Sequence, residues 1–115
     1  MKLEKQAKLL RIFIGEDDKF NQRPLYEAIV YAAKKKGLAG ATVMKGLLSY
    51  GANSKIHTIK IFALSNDLPI VIEIVDEVEK IDDFIEIIDK LFKKSNCGGL
   101  VTVENIKVLK YEAKK

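Results

Sequence analysis

The chain has 115 residues and a mass of 12.9 kDa, with 48% hydrophobic and 31% charged residues, values that suit one globular core and exclude a disordered chain. Its longest uncharged stretches, Gly46 to Ser54 and Ser95 to Val103, are about half the ~20 residues of a membrane helix. The start, Met-Lys-Leu-Glu-Lys, lacks the apolar run of a secretory signal, and the lone cysteine, Cys97, has no internal disulfide partner; the expectation is a single cytoplasmic domain over residues 1–115, not inserted in a membrane.

The net charge of +4 is uneven. Residues 1–60 carry twelve basic and five acidic side chains, and residues 61–115 carry eight and eleven. A nucleic-acid binder more often spreads one sign over a whole face, so the pattern weighs against that class of partner.

Residues Lys8 to Ile14 alternate, with Leu10, Ile12 and Ile14 opposite Leu9, Arg11 and Phe13, which predicts a strand closed by Gly15-Glu16-Asp17-Asp18. From Pro24 to Lys36 the apolar spacing becomes helical, with Leu25, Ala28, Ile29 and Ala32 in one stripe, Pro24 suited to the first turn and Gly37 to the position past the end. Ala41 to Leu48 reads as a second strand, and Gly51-Ala52-Asn53-Ser54-Lys55 as a polar break. Ile56 to Leu64 alternates weakly and fits a strand or an ordered loop. Pro69 to Val75 is almost pure Ile and Val, the pattern of a central strand. Val78, Ile81, Ile85, Ile88 and Phe92 mark a second amphipathic helix, capped by Asp76 or a neighbour. Past Gly98-Gly99, Leu100 to Val103 forms a short strand, with Ile106 to Tyr111 a further candidate.

Two βαβ halves in succession predict a ferredoxin-like plait (βαββαβ), an α+β fold with a four-stranded antiparallel sheet and two helices on one face. The other face, with Phe13, Thr102, Leu47 and Phe62 expected on it, is too apolar to stay wet, which points to an oligomer.

Several chemistries lack their residues. Lys45 precedes Gly46, the wrong order for a phosphate-binding Gly-Lys-Ser/Thr loop, and one His with one Cys is a poor donor set for a dedicated zinc site. A triad drawn through His57 has nothing to distinguish it from any loop histidine, and no metal site or covalent cofactor is expected. What remains is glycine and lysine at element ends. Gly40, Gly46, Gly51 and Gly98-Gly99 allow inward-turned amides, and Lys45, Lys55, Lys60, Lys107 and Lys110 supply positive charge, together a weak signal for a phosphate-bearing ligand.

The blocks Arg23 to Val30, Gly37 to Val43, Ser54 to Thr58 and Asp67 to Asp76 resemble, in order and over nearly the whole chain, the uncharacterised P-II-like family known as domain of unknown function 190. That family resembles in turn the P-II (GlnB-like) nitrogen signal transducers, and the resemblance implies a homotrimer with adenine nucleotides in the clefts between subunits. Gly37 to Val43 is similar to the P-II segment Gly-Ile-Thr-Gly-Met-Thr-Val, placing Thr42 where a threonine approaches the adenine. Asn96-Cys97-Gly98-Gly99-Leu100 is similar to the P-II nucleotide loop, and Ile106-Lys107-Val108 to the C-terminal Ile-Arg-Ile-Arg run, with Lys107 in place of one phosphate-binding arginine. Leu100 stands where that loop has its lysine and Leu109 where the second arginine falls unless Lys110 replaces it, so ADP or AMP is favoured over ATP. The effector loop corresponds to the region between Leu48 and Leu68, Tyr50 being no clear match for its modified tyrosine, and His57 becomes a ligand or loop candidate.

The nucleotide-binding set is thus Thr42, Lys45, Gly46, Gly51, His57, Gly98, Gly99 and Lys107. The implied function is signalling, with a membrane transporter or channel as the partner and no catalytic residue. The alternative is a small acylphosphatase-like enzyme, whose phosphate-cradling loop would fall on the acidic Gly15-Glu16-Asp17-Asp18. A third class, RNA binding, needs aromatics on the inner strands, and Ile70 to Val75 and Leu100 to Val103 have none.

Overall fold

The computed structural model describes residues 6–46, 48–50, 56–58 and 68–112. The element order is β1 (Ala7–Gly15), β2 (Lys19–Phe20), β3 (Arg23–Pro24), α1 (Leu25–Lys35), β4 (Thr42–Lys45), β5 (Leu48–Tyr50), β6 (Ile56–Thr58), β7 (Pro69–Glu77), α2 (Val78–Ser95) and β8 (Leu100–Ile106). The main sheet has the order β4-β7-β1-β8 with every pair antiparallel. With the two helices this is the predicted ferredoxin-like α+β plait.

The alternation in β1 and β7 does what period two requires. Leu10, Ile12 and Ile14 from β1 meet Ile70, Ile72 and Ile74 from β7 on the helix side, joined by Leu25, Ile29 and Ala33 of α1 and Ile81, Phe84 and Ile88 of α2. Each such side chain taken out of water stabilises the fold by roughly 1.5 to 3 kcal/mol, which is why a one-residue slip of either central strand is so costly. The buried stripe of α1 is Leu25, Ile29 and Ala33, with Ala28 and Ala32 half-buried at its border, one residue round from the stripe read in the sequence.

The outer face follows from register. Thr42, Glu73, Arg11 and Thr102 form one row across the four strands, and Met44, Val71, Phe13 and Leu100 the next. Phe13 and Thr102 therefore stand on the uncovered face, as expected, while Leu47 and Phe62 lie outside the described residues. Leu100 is 56% and Met44 41% exposed, so the apolar row is open to solvent at both sheet edges.

Several boundaries differ from the sequence reading. The stretch Ala41 to Leu48 is not one strand: β4 ends at Lys45, and β5 pairs instead with β6, Ser49 opposite His57. The break falls at Gly46, whose N–H donates to the Pro69 carbonyl at 2.7 Å and closes the ladder. β8 runs on to Ile106, and residues 107–112 have no regular structure, so no further strand follows among the described residues. Asp76 does not cap α2; the N-cap position is Glu77, without a side-chain cap. Between β2 and β3, Asn21 and Gln22 take φ of 50° and 67°, the two left-handed residues of a tight hairpin turn, here without glycine. No helix among the described residues is long and apolar enough to cross a membrane.

Candidate functional site

Where β1 ends, four elements converge. Gly15 N–H donates to the Asp18 carboxylate at 2.9 Å, Glu16 N–H to the Leu68 carbonyl at 2.8 Å, and Leu25 N–H, opening α1, to the Asp18 carbonyl at 2.7 Å. Lys45, at the last position of β4, places its Nζ 2.7 Å from Glu16 Oε2. The hydrogen bond it donates to the Glu16 carboxylate raises the Lys45 pKa above its ordinary value, so the ammonium stays charged at neutral pH but is committed to a carboxylate. A raised lysine contributes stability that is complete below its unfolded-state pKa and is lost as pH rises through the folded one. The unfolding curves of the wild type and of Glu16→Gln should accordingly differ most at neutral pH and converge in the alkaline range; a constant offset at every pH would show that the pair contributes nothing through charge.

The glycines of the sequence-predicted set divide by contact. A Cβ on Gly46 would lie 2.6 Å from Pro69 Cγ, and one on Gly99 would lie 2.7 Å from the Phe13 carbonyl oxygen, 3.0 Å from Ile14 Cγ2 and 3.1 Å from Phe92 Cζ. Both are therefore needed for packing. Gly98 has nothing within 4 Å of such a Cβ, so it is the one glycine of that run with space for a ligand. Gly51 lies outside the described residues, and His57 is placed by its backbone alone, on β6.

The set is not gathered within one chain. Thr42, Lys45 and Gly46 belong to the β4 edge, and Gly98, Gly99 and Lys107 to the β8 edge, three strand spacings or about 14 Å apart. Along β8, Gly99 precedes the Leu100 end and Lys107 follows the Ile106 end, a separation of roughly 26 Å at ~3.3 Å per residue. Two grooves on the helix side, about 330 and 360 Å³, are lined by other residues, Lys36, Lys80 and Phe84 in one and Phe20, Arg23 and Tyr31 in the other.

Three features escaped the sequence reading. The first is Asp76, fully buried, whose two oxygens accept the N–H groups of Ala39 at 2.8 Å and Glu77 at 2.7 Å. An acid at the end of an Ile/Val run was its signal. The second is the tail: leaving β8, it returns across the sheet end, and the Tyr111 hydroxyl donates to the Ala39 carbonyl at 3.2 Å. Ala39 is thus held on both sides, while Lys80 Nζ sits 3.5 Å from the Gly37 carbonyl and Gly37 itself turns at φ 75°. The third is Arg11, whose Nε donates to Glu73 at 2.8 Å and Nη1 to Glu104 at 2.6 Å in the middle of the open face. The bond to Glu73 leads in raising the guanidinium pKa.

The family model for DUF190, described as an uncharacterized ACR, matches residues 7–108. A UPF0166 protein of Aquifex aeolicus is 43% identical over 104 residues, covering 90% of this chain and 94% of the relative. A UPF0166 protein of Methanocaldococcus jannaschii is 36% identical, covering 93% and 95%. Among solved structures, CPII, a nitrogen regulatory PII-like protein of Thiomonas intermedia K12 bound to ADP, AMP and bicarbonate, superposes with a TM-score of 0.68 at 20% identity over 90% of this chain and 88% of that one. A putative PII-like signalling protein of Thermus thermophilus does so with a TM-score of 0.62 at 18% identity over 88% and 87%. The chain belongs to the DUF190 family, and its fold is that of the PII-like proteins.

Proposed function

We propose that the protein is a PII-like regulator that binds an adenine nucleotide, ADP or AMP in preference to ATP, between neighbouring copies of a homotrimer. The observation that carries this reading is the division of the candidate residues between the two edges of one sheet, Thr42, Lys45 and Gly46 on β4 and Gly98, Gly99 and Lys107 on β8. Residues from the two edges can act on one ligand only if the β4 edge of one copy meets the β8 edge of another, and Gly98–Gly99 and Lys107, at opposite ends of β8, then reach different parts of that seam. The open apolar row of Met44, Val71, Phe13 and Leu100 supplies a surface for such an assembly. Further support comes from the shared fold with CPII, whose structure holds ADP and AMP.

The cations are few. Lys45 is already paired with Glu16, and Leu100 carries no charge, which leaves little to neutralise a third phosphate. The acidic Glu16-Asp17-Asp18 turn is repulsive to an acyl phosphate, so the chain is read as a binding protein rather than an enzyme. The segment spanning 48–68, with Gly51 and His57, is the part a partner would read, with a membrane transporter or channel as the partner and the cytoplasm as the setting. Nucleotide would act by favouring one arrangement of that segment, to the extent that it binds that arrangement more tightly.

The test is calorimetric titration of the intact protein with AMP, ADP and ATP, coupled to a mass measurement. Heat is expected with AMP or ADP on a trimeric mass, with ATP at least about tenfold weaker, since one missing charge-assisted hydrogen bond costs ~1.5 to 3 kcal/mol. A monomeric mass removes the seam, and silence with all three nucleotides removes the ligand.

A further inference from the structure

We infer that the groove between the β2–β3 hairpin, α1 and α2 binds a small carboxylic acid with an aromatic body. The inference is independent of the nucleotide reading, since no residue of that set lines this groove.

The lining divides by chemistry. Asn21 and Arg23 come from the hairpin, Ala28 and Tyr31 from α1 and Leu91 from α2, with Phe20 beside the two polar residues. The groove is therefore polar where the hairpin forms its rim and apolar toward the helices. Arg23 is the single charged residue of the lining, and its guanidinium has no ion-paired or hydrogen-bonded partner among the described residues. Arg11, by contrast, is already engaged by Glu73 and Glu104, and in the neighbouring groove Lys36, Lys80 and Lys90 stand among Asp83 and Glu86. Glu27, the acid nearest to Arg23 in sequence, lies outside the lining. A free planar guanidinium matches a carboxylate with two parallel hydrogen bonds. The rings of Phe20 and Tyr31, the latter 63% exposed, offer edges and faces to an aromatic guest. Size sets the class of guest: about 360 Å³ is at the small end of the ~300 to 1,000 Å³ of ligand sites, which suits one ring on a short chain and is cramped for a nucleotide. The rim is also held in place. Phe20 pairs with Arg23 across the two-residue turn, and Leu25 N–H, just past the hairpin, donates to the Asp18 carbonyl at 2.7 Å. The turn itself keeps Asn21 and Gln22 at φ of 50° and 67°, a conformation that a Cβ disfavours and that Gln, unlike Asn, does little to offset. Such strain is tolerated where the surroundings fix the backbone, and it is found most often at ligand sites.

The experiment is an NMR titration of the full-length native protein with 3-phenylpropionate, with its neutral amide 3-phenylpropanamide, and with propionate, which lacks the ring. It is run on the wild type, Arg23→Gln and Tyr31→Ala. The wild type should bind 3-phenylpropionate with a Kd of about 1 mM or tighter, with saturable shifts centred on the amides of Ala28, Tyr31 and Leu91. The amide and propionate should each bind about tenfold or more weakly, one for want of a charge-assisted hydrogen bond and the other for want of the ring. Arg23→Gln should lose the preference for acid over amide, and Tyr31→Ala should weaken both a few-fold. Absence of saturable shifts at those amides, equal binding of acid and amide, or an Arg23→Gln variant that still prefers the acid overturns the inference. Two other occupants would also overturn it. An acetylated tripeptide ending in phenylalanine that binds about tenfold more tightly than the free acid assigns the groove to a protein C-terminus, and a lower mass for Tyr31→Ala assigns it to a second copy of the chain. Unchanged thermal unfolding of both variants separates lost binding from lost structure, and the comparison of acid with amide on the wild type decides without any variant.

Discussion

Replacing Gly99 by valine should cost the fold about 3 kcal/mol or more, whereas Gly98→Ala, one residue earlier, should stay within ~0.5 kcal/mol of the wild type. The contrast comes from what the new atoms meet. At Gly99 even the first carbon would stand 2.7 Å from the Phe13 carbonyl oxygen, with Ile14 Cγ2 at 3.0 Å and Phe92 Cζ at 3.1 Å. The carbonyl cannot give way, because Phe13 sits between Val71 of β7 and Leu100 of β8 in the centre of the sheet. Ile14 is part of the core, and Phe92 packs against it from α2. Valine adds two methyl groups to a place that has no room for one. At Gly98 nothing lies within 4 Å. Neither residue has a positive φ; Gly37 is the described glycine that does, so the comparison isolates contact from backbone freedom. Urea or thermal unfolding reads the difference, which corresponds to roughly 10 °C or more in Tm for a chain of this size. Similar stabilities for the two variants would mean that the close approach of β8 to β1 is not there.

The elements that were legible in the sequence are those whose burial alternates strictly. β1 and β7 each show one face to the helices and one away, and α2 repeats Ile81, Phe84 and Ile88 through an acidic segment, so periodicity alone gives their type and their facing. Ala41 to Leu48 misled because its apolar residues continue past Gly46, while what ends the strand is a contact with Pro69, distant in sequence. The Asn21-Gln22 turn gave no signal, since a two-residue turn with left-handed φ is normally announced by glycine. Asp76 just before a helix has the look of a cap, yet its oxygens turn to Ala39 and to its own neighbour's amide.

The candidate site was legible as residue types and not as a place. Glycines and lysines at element ends can be named from the sequence, but whether a glycine is there for packing, as Gly46 and Gly99 are, or leaves space, as Gly98 does, depends on partners from other elements. The cations behave likewise: Lys45 reads as available charge until Glu16 is found 2.7 Å away. The separation of β4 from β8 requires the strand order, which pairs β1 with β7 and β8 and leaves β4 beyond β7. Tyr111 lay in a segment that was only a candidate strand, and only the return of the tail brings it to Ala39.

Removal of the Asp76 carboxylate is expected to be among the most damaging single changes in the chain, with Asp76→Ala costing about 3 to 5 kcal/mol. The side chain has no exposed surface, and burial of a carboxylate is tolerable only because its charge is met. Two backbone N–H groups donate to it, from Ala39 at 2.8 Å and Glu77 at 2.7 Å. It also lies just ahead of α2, which starts at Val78, where the helix dipole favours negative charge. Alanine leaves both donors without an acceptor and opens a void between the end of β7 and the loop after α1. Asparagine keeps one acceptor oxygen but turns an N–H₂ group toward the other donor, so Asp76→Asn should fall between alanine and the wild type. Amide exchange at Ala39 offers a local readout, expected to quicken most in Asp76→Ala, and urea unfolding gives the global one. Alanine matching the wild type, or asparagine proving worse than alanine, would sink the assignment. The consequence reaches the C-terminal tail, because the acceptor for Tyr111 belongs to the residue that Asp76 holds. Loosening Ala39 from its buried side weakens the Tyr111 hydrogen bond on the other, and the effects of Asp76→Asn and Tyr111→Phe on stability should therefore combine to less than their sum.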